Sequence, residues 1–482
     1  MNITTQVFEM PLLGPALPEI LLACGALLML IIGAIRGQAA QRLIDILAMV
    51  LLLGALVLVL GQDNAKVTTF ERAFVSDGFA RFMKVLTLCG SLMTILLSMD
   101  YLKSRGIEKF EYPILITLAT LGMMMMISAN DLMALYIGLE LQSLALYVVA
   151  SIHRDDAKST EAGLKYFVLG ALSSGMLLYG ASLIYGFTGN VNFDAIALVL
   201  QGKAAAGAVF GLVFLMAGLA FKVSAVPFHM WTPDVYEGSP TPVTAFFAGA
   251  PKMAAMALFV RVMMEAFPGI TQQWQQIVTF LAIASMVLGA FAAIGQQNLK
   301  RLMAYSSIAN MGYALTSLAA GNEAGVQGVL VFMATYLMMT AGVFACILAL
   351  RTEHGHAETI NDLAGLSRTR PGIAFVLAML MFSLVGIPPL AGFFGKFYAF
   401  AAAVNAKLYV LAVIGIVSSV VSAFYYLRIV KVMYFDEGEA RYRDGAMEVK
   451  LVLGLSFGFV FLFGLIAGPI VTMAQAAAKS LF

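Results

Sequence analysis

The chain has 482 residues, of which 61% are hydrophobic and only 12% are charged. Soluble chains are about 45–50% apolar and about 25% charged, so this composition excludes a soluble enzyme and indicates a membrane protein. The formal net charge is only +2 and no lysine- or arginine-rich run is present, which excludes nucleic acid as a partner.

Long apolar runs separated by polar or Gly/Pro clusters predict helices that cross the bilayer, each needing about 20 residues. Because unsatisfied backbone groups are costly in lipid, helices rather than open strands are expected. We therefore predict an all-α polytopic membrane protein with about 14 transmembrane helices. In chain order, the predicted helices cover residues 17–35, 43–60, 79–99, 112–128, 131–151, 164–187, 206–226, 243–266, 275–295, 301–320, 326–350, 373–400, 407–430 and 450–474.

The 29 lysines and arginines are distributed unevenly between the two faces of this predicted bundle. Roughly twice as many fall on the face opposite the N-terminus, and the positive-inside rule makes that face cytoplasmic. We expect a multi-pass protein of the inner, energy-transducing membrane, with both termini on the outer, periplasmic side.

Redox and metal chemistry are not expected in this chain. Cys24, Cys89 and Cys346 lie in separate apolar segments without CxxC spacing, so neither a disulfide framework nor an iron–sulfur or zinc site is indicated. The sequence also lacks GxGxxG and P-loop motifs. We therefore predict no cofactor and no metal ion bound by this chain.

A few ionisable residues interrupt the apolar runs. Placing an ionisable side chain near the bilayer centre costs about 2.5–3.5 kcal/mol, so each of them calls for a reason. We expect them to be Lys165, Lys222, Lys252, Lys396 and, as the only deep acid, Glu140. The other charges, among them Lys84 and Arg261, are expected at the membrane faces.

Lysine rather than arginine at these positions favours proton transfer. Arginine stays charged, whereas a desolvated lysine can release and regain a proton. Two structural alternatives remain open: a buried Lys–Glu pair can simply join two helices, and Lys165, near a helix end, can reach the interface.

Prolines break two of the predicted helices, and each break has a lysine beside it. Lys222 precedes the proline in residues 221–227 (FKVSAVP), and Lys396 follows the two prolines in residues 386–396 (GIPPLAGFFGK). The two helices are five apart, so they would enter the membrane from opposite faces, which is typical of inverted repeats with broken helices. We predict two inverted five-helix repeats, although ordinary proline kinks remain an alternative. The predicted units are 1–110, 111–266, 267–434 and 435–482.

Residues 221–254 (FKVSAVPFHMWTPDVYEGSPTPVTAFFAGAPKMA) resemble the signature region of the antiporter-like membrane subunits of respiratory complex I, the proton-pumping NADH:quinone oxidoreductase. The resemblance is nearest to the subunit N family. It extends over nearly the whole chain, through 131–141, 161–167, 298–307 and 392–398.

The resemblance implies a fourteen-helix subunit in which five residues form a proton relay. By this resemblance, Glu140 and Lys222 would form an interacting pair, Lys252 would be the central lysine and Lys396 the lysine of the second broken helix. Lys165 would correspond to the lysine on the sixth helix. Asn310 stands where related subunits often carry a histidine, so a titrating histidine is not available there and a water could bridge the gap. His229 follows the first break, where capping or loop packing and proton transfer remain alternatives.

The expected function is proton translocation, in which weakening of the Glu140–Lys222 pair drives a proton from Lys222 toward Lys252 and Lys396. The resemblance implies other complex I membrane subunits as partners, and NADH, FMN, iron–sulfur clusters and quinone in partner subunits. Alternatives are a subunit of a multi-subunit cation/proton antiporter or membrane-bound hydrogenase, a free-standing transporter and a structural scaffold.

Overall fold

The computed structural model describes residues 10–201, 205–352, 355–438, 442 and 445–482. Each of the four predicted units includes a few residues outside these ranges, and the boundaries between the units stay a prediction.

The N-terminal part contains long apolar helices and one short hairpin. Polar side chains fix where two of these helices begin, since Asp77 accepts the backbone N–H of Ala80 at 2.7 Å and Asp131 accepts that of Ala134 at 2.6 Å. The elements are α1 (Leu17–Arg36), α2 (Gln41–Leu60), β1 (Val67–Thr69), β2 (Phe74–Ser76), α3 (Gly78–Arg105), α4 (Glu111–Ile127), α5 (Leu132–Ala150) and α6 (Ala157–Thr188). Strands β1 and β2 pair antiparallel.

The central part alternates short and long helices around the first proline break. Its elements are α7 (Phe193–Val199), α8 (Ala206–Lys222), α9 (Trp231–Gly238), α10 (Thr241–Ala248), α11 (Ala250–Arg261), a π-helix (Val262–Ala266), α12 (Thr271–Ile294), α13 (Leu299–Leu318) and α14 (Glu323–Ala349).

The C-terminal part contains the second break and ends in a long helix. Its elements are β3 (Arg351–Thr352), β4 (Gly355–His356), α15 (Leu366–Thr369), α16 (Pro371–Val385), α17 (Ala391–Asn405), α18 (Tyr409–Phe435) and α19 (Met447–Lys479). Short 3₁₀ turns lie at Gly14–Ala16, Gly37–Ala40, Pro268–Ile270 and Asn361–Leu363.

The predicted class, an all-α polytopic membrane protein, is confirmed. Within the described residues, nine helical segments are long and apolar enough to cross a membrane, and α4, α8 and α16 are shorter apolar helices. One of the nine segments comprises both α1 and α2. Each predicted segment contains at least one helix, but the number of spans, fourteen, stays a prediction.

Both predicted proline breaks are present. Helix α8 ends at Lys222, and the chain turns through a cis Val226–Pro227 bond before α9; α16 ends at Val385, and a cis Pro388–Pro389 bond precedes α17. Gly386 has a φ of +98°, a conformation that strains residues with a side chain.

A third break, at Gly249, was not predicted. The expected helix 243–266 is divided into α10, α11 and the π-helix, because Gly249 has φ −102° and ψ −107°, outside the helical region. Pro251 follows within the first turn of α11, where its missing N–H costs no hydrogen bond.

Candidate functional site

Lys222 is the last residue of α8, and its side chain is buried at the first proline break. Its ammonium donates to the hydroxyl of Ser143 on α5 at 2.6 Å. The break frees backbone carbonyls, and the indole N–H of Trp231 donates to one of them, that of Phe221, at 3.0 Å. A cation at the C-terminus of a helix is also favoured by the helix dipole.

Glu140 lies on α5, but it does not form the direct ion pair with Lys222 that the sequence suggested. Its carboxylate accepts a hydrogen bond from the Ser174 hydroxyl of α6. Ser143 lies three residues after Glu140, on the same side of α5, and takes the hydrogen bond from Lys222. The two charges are therefore coupled through neighbouring positions of one helix, not by contact.

Lys252 is 1% exposed and lies in the first turn of α11, directly after the break at Gly249. Its ammonium donates to the Ser307 hydroxyl on α13 at 2.6 Å, and the Tyr336 hydroxyl on α14 donates to the same oxygen at 2.7 Å. Lys252 Nζ also lies 5.7 Å from the ring centroid of Tyr236. Lys252 thus has no carboxylate partner among the described residues.

Lys396 lies in α17 and closes the second break. It donates to the carbonyls of Leu384 and Val385, both at 2.9 Å, and to the Ser419 hydroxyl at 2.7 Å. The two carbonyls belong to the last turn of α16, where no intrahelical N–H is available to them. Lys396 also lies 4.9 Å from the ring centroid of Tyr313.

Hydroxyl groups line the space between Lys252 and Lys396 on two facing helices, α13 and α18. Ser306 and Tyr426 are hydrogen-bonded at 2.5 Å, and Tyr313 and Ser422 at 3.4 Å. Because Ser419, Ser422 and Tyr426 are spaced i, i+3 and i+7, they occupy one face of α18.

Asn310 belongs to this hydroxyl-lined space. Its amide donates to the carbonyl of Ser306 at 2.8 Å and approaches the Tyr426 hydroxyl at 3.3 Å. The position expected to need a bridging water is therefore contacted directly by a tyrosine hydroxyl. The serine and tyrosine spacing in residues 418–426 is the sequence signal from which this hydroxyl-lined face could have been predicted.

Aromatic side chains fill the space between Lys222 and Lys252, and three of them are tyrosines. Tyr147 lies 5.8 Å from Lys222 Nζ and contacts Tyr166, which stacks on Trp231 with centroids 4.3 Å apart. Trp231 then contacts Tyr236, the ring beside Lys252. Within the described residues, no hydrogen-bonded chain joins the two lysines.

Lys165 is not buried with the other three lysines. Its side chain is 42% exposed and pairs with Glu161 at 2.6 Å and Asp234 at 2.8 Å. Arg301 contacts the same Asp234 at 2.7 Å. Partial burial would raise the pKa of Asp234, but the hydrogen bonds from Lys165 and Arg301 lower it on balance below 3.8. The structure thus gives Lys165 the surroundings of a surface ion cluster.

Two buried charge clusters were not predicted from the sequence. Lys84 of α3, expected at a membrane face, is fully buried and pairs with Glu19 of α1 at 2.6 Å. The signal was its position seven residues inside an apolar helix, as for the other buried lysines. Glu140 is therefore not the only deep acid.

Arg261 was also expected at a membrane face, but its side chain is fully buried. It binds both oxygens of Asp77, at 2.9 and 3.0 Å, and Glu265 at 2.8 Å. Its Nε–H donates to the carbonyl of Ile127 at 3.0 Å. This cluster joins α3, α4 and α11. Because arginine stays charged, the cluster is unsuited to proton transfer.

Within the described residues, no group of three or more histidine, cysteine, aspartate or glutamate side chains is arranged to hold a metal ion. His229 lies between the first break and α9, and its backbone carbonyl accepts the N–H of Thr232 at 2.9 Å.

Comparisons with known proteins point to one family. A family model described as "NADH:quinone oxidoreductase/Mrp antiporter, TM" matches residues 129–422. The "NADH-quinone oxidoreductase subunit N" of Methylobacterium nodulans is 62% identical over 475 residues, which is 98% of each chain.

Solved structures with the same fold include a chain of respiratory complex I from Thermus thermophilus. It is 32% identical, with a TM-score of 0.82, over 94% of this chain and 98% of the other. A chain of the Mrp complex from Dietzia sp. has a TM-score of 0.87 over 97% of each chain; at 22% identity it supports the fold alone.

Proposed function

Since the chain belongs to the NADH-quinone oxidoreductase subunit N family, we propose that its buried lysines carry protons through the membrane arm of that enzyme. The chain is an antiporter-like subunit of the translocating complex I. We propose that NADH, FMN, iron–sulfur clusters and quinone bind to partner subunits, so the energy for translocation reaches this chain from its neighbours.

The hydroxyl-lined space between Lys252 and Lys396 is the observation that carries the proposal. A serine or tyrosine hydroxyl can accept one proton while it donates another, so a row of hydroxyls can pass a proton along. Lys252 and Lys396 donate to hydroxyls on α13 and α18, respectively. The proton would move from Lys252 through Ser307, Ser306 and the hydroxyls of α18 to Lys396.

The aromatic segment between Lys222 and Lys252 would act as the controlled step. Within it the rings of Tyr166 and Trp231 offer no continuous hydrogen-bonded path. We propose that a proton crosses this segment when a change at Glu140 alters the environment of Lys222, by way of Ser143 and Ser174 on either side. Moving one charge against the membrane potential needs about 2.3 kcal/mol per 100 mV, comparable to one charged hydrogen bond.

Lys165 would load protons from the cytoplasmic face in this scheme, as part of the surface cluster with Glu161 and Asp234. This assignment rests on the sequence resemblance and on the excess of cations on that face. We propose that the protein lies in the inner membrane with both termini on the periplasmic side.

The test uses the assembled enzyme in proteoliposomes, with NADH oxidation and proton uptake measured together. Lys252→Met and Lys396→Met should each abolish coupled proton uptake while the complex still assembles. Lys431→Met is the matched control, because Lys431 is an exposed lysine of α18 paired with Asp436. Full proton uptake in both buried-lysine variants would refute the proposal.

The orientation has its own test. A protease site added after Phe482, which is 65% exposed, should be cut from the periplasmic side of intact cells. Cleavage only in inverted vesicles would place the C-terminus in the cytoplasm. A cation/proton antiporter subunit is the second candidate, because the family model that matches residues 129–422 also describes Mrp antiporters. It would gain support if proton uptake required an opposing flux of sodium ions.

A further inference from the structure

A large apolar cavity lies away from the buried lysines, between α3, α14 and α19. Its volume is about 670 Å³, and neither Lys222, Lys252 nor Lys396 lines it. Its walls come mostly from aliphatic, methionine and phenylalanine side chains, and the residues used below are Arg81, Val85, Cys89, Met93, Leu337 and Met473.

The cavity runs along α3 from its N-terminal end. The start of α3 lies beside the end of α19, since the N–H of Phe79 donates to the Ser480 hydroxyl at 2.9 Å. Along α3 the lining runs from Arg81 to Met93, which is about 18 Å at 1.5 Å per residue. One leaflet of the hydrocarbon core is about 15 Å thick, so the cavity has the length of a single leaflet.

The lining of the cavity suits acyl chains. Its walls are formed mostly by aliphatic, methionine and phenylalanine side chains, against which hydrocarbon can pack without leaving polar groups unpaired. Its length, that of one leaflet, matches the depth to which acyl chains extend.

The mouth of the cavity carries a positive charge. Arg81 is partly exposed there and donates to the carbonyl of Leu60 at 2.6 Å and to the side-chain oxygen of Asn64 at 3.2 Å. A guanidinium has five N–H donors, so several are left for an anion. No acidic residue is among the described residues that line the cavity. Phosphate oxygens are well matched to this geometry.

We propose that this cavity binds one anionic phospholipid, with its acyl chains between α3, α14 and α19 and its phosphate at Arg81. The lipid completes the packing of α19 against α3, where the two helices leave a space that side chains do not fill. This site is independent of the proton relay and would exist whether or not the lysines carry protons.

The first experiment labels the intact purified enzyme in nanodiscs with an anionic phospholipid that carries a photoactivatable group midway along one acyl chain. Peptide mass spectrometry should locate the adducts on α3 and α14 around Cys89, Met93 and Leu337. Adducts spread evenly over the lipid-facing helices, or cross-links from these positions to another subunit, would overturn the proposal.

Two variants with controls sharpen the test. Val85→Trp should fill the cavity and remove the adducts, whereas Leu172→Trp, on the exposed face of α6, should leave them unchanged. Arg81→Gln should reduce the preference for anionic over zwitterionic lipid by about two- to five-fold, the range of one partly exposed ion pair, and Arg81→Lys should retain it.

Each outcome of these variants bears on the proposal. Unchanged adducts in Val85→Trp would refute the acyl-chain site, and an unchanged lipid preference in Arg81→Gln would refute the headgroup assignment. If Val85→Trp does not assemble, the adduct map of the unmodified enzyme still decides.

Discussion

Replacing Ser307 with alanine removes the acceptor that Lys252 and Tyr336 share. The ammonium of Lys252 lies 2.6 Å from the Ser307 hydroxyl and the hydroxyl of Tyr336 lies 2.7 Å from it, all in the buried interior. A hydrogen bond to a charged group contributes about 1.5–3 kcal/mol. Since 1.4 kcal/mol corresponds to a factor of ten, proton transfer from Lys252 toward Lys396 should slow by roughly 10- to 100-fold.

The assay measures proton uptake and NADH oxidation in the same proteoliposomes, and the ratio of the two is the readout. Ser307→Ala should lower either this ratio or the rates of proton uptake and NADH oxidation together. Ser307→Thr, which keeps a hydroxyl, should restore the lost activity. Ser317→Ala is the matched control: Ser317 is also a buried serine of α13, but its hydroxyl donates to the carbonyl of Gly325 at 2.8 Å, away from the lysines.

Two results would refute the reasoning about Ser307. The first is that the Ser307→Ala enzyme assembles and pumps at the normal rate, which would show that protons do not pass this hydroxyl. The other is an equal loss of pumping in Ser317→Ala, which would show that the defect comes from packing of α13 and not from the relay.

Three further predictions concern charges outside the hydroxyl row. Lys84→Met should destabilise the assembled protein by about 3–5 kcal/mol because it leaves Glu19 charged and buried, and the double variant with Glu19→Leu should recover most of this loss in a thermal unfolding assay. Arg261→Met should cost a similar amount through Asp77 and Glu265; normal thermal stability would contradict the structural role of this cluster. Asp234→Asn should lower stability by at most about 1 kcal/mol, because its ion pairs are partly exposed. The lowered pKa of Asp234 means that this contribution is fully present above pH 3.8 and is lost as the pH falls below it, so the effect of the variant should be equal at pH 5 and pH 8.

The broken helices were predictable because proline and glycine act through local backbone geometry. Proline has no backbone N–H, so Pro227 and the Pro388–Pro389 pair favour helix ends in residues 221–227 and 386–396, although Pro469 lies inside α19 without ending it. The break at Gly249 was not predictable in this way, since glycine also occurs inside membrane helices and only the neighbouring chain decides which glycine adopts an irregular conformation.

The burial of the lysines was likewise predictable from the sequence only in part. Their positions in apolar runs predicted that Lys222, Lys252 and Lys396 are buried. For Lys165, near the start of α6, the structure matches the alternative left open, a side chain that extends to the surface. The prediction missed Lys84, which was assigned to a face although it lies well inside α3. Depth within a helix depends on where the membrane surface falls, which the order of residues indicates only to within a turn or two.

The sequence by itself determined that the chain is an α-helical membrane protein, that two helices break at prolines and that lysines accompany the breaks. These properties depend on composition, on backbone chemistry and on the cost of charge in lipid, all of which act locally. Only the tertiary structure decided the partners: Lys222 meets Ser143 instead of Glu140, and the hydroxyls of α13 and α18 face each other. A side chain's partner depends on which helices pack together, and that is fixed by the shape of the whole bundle.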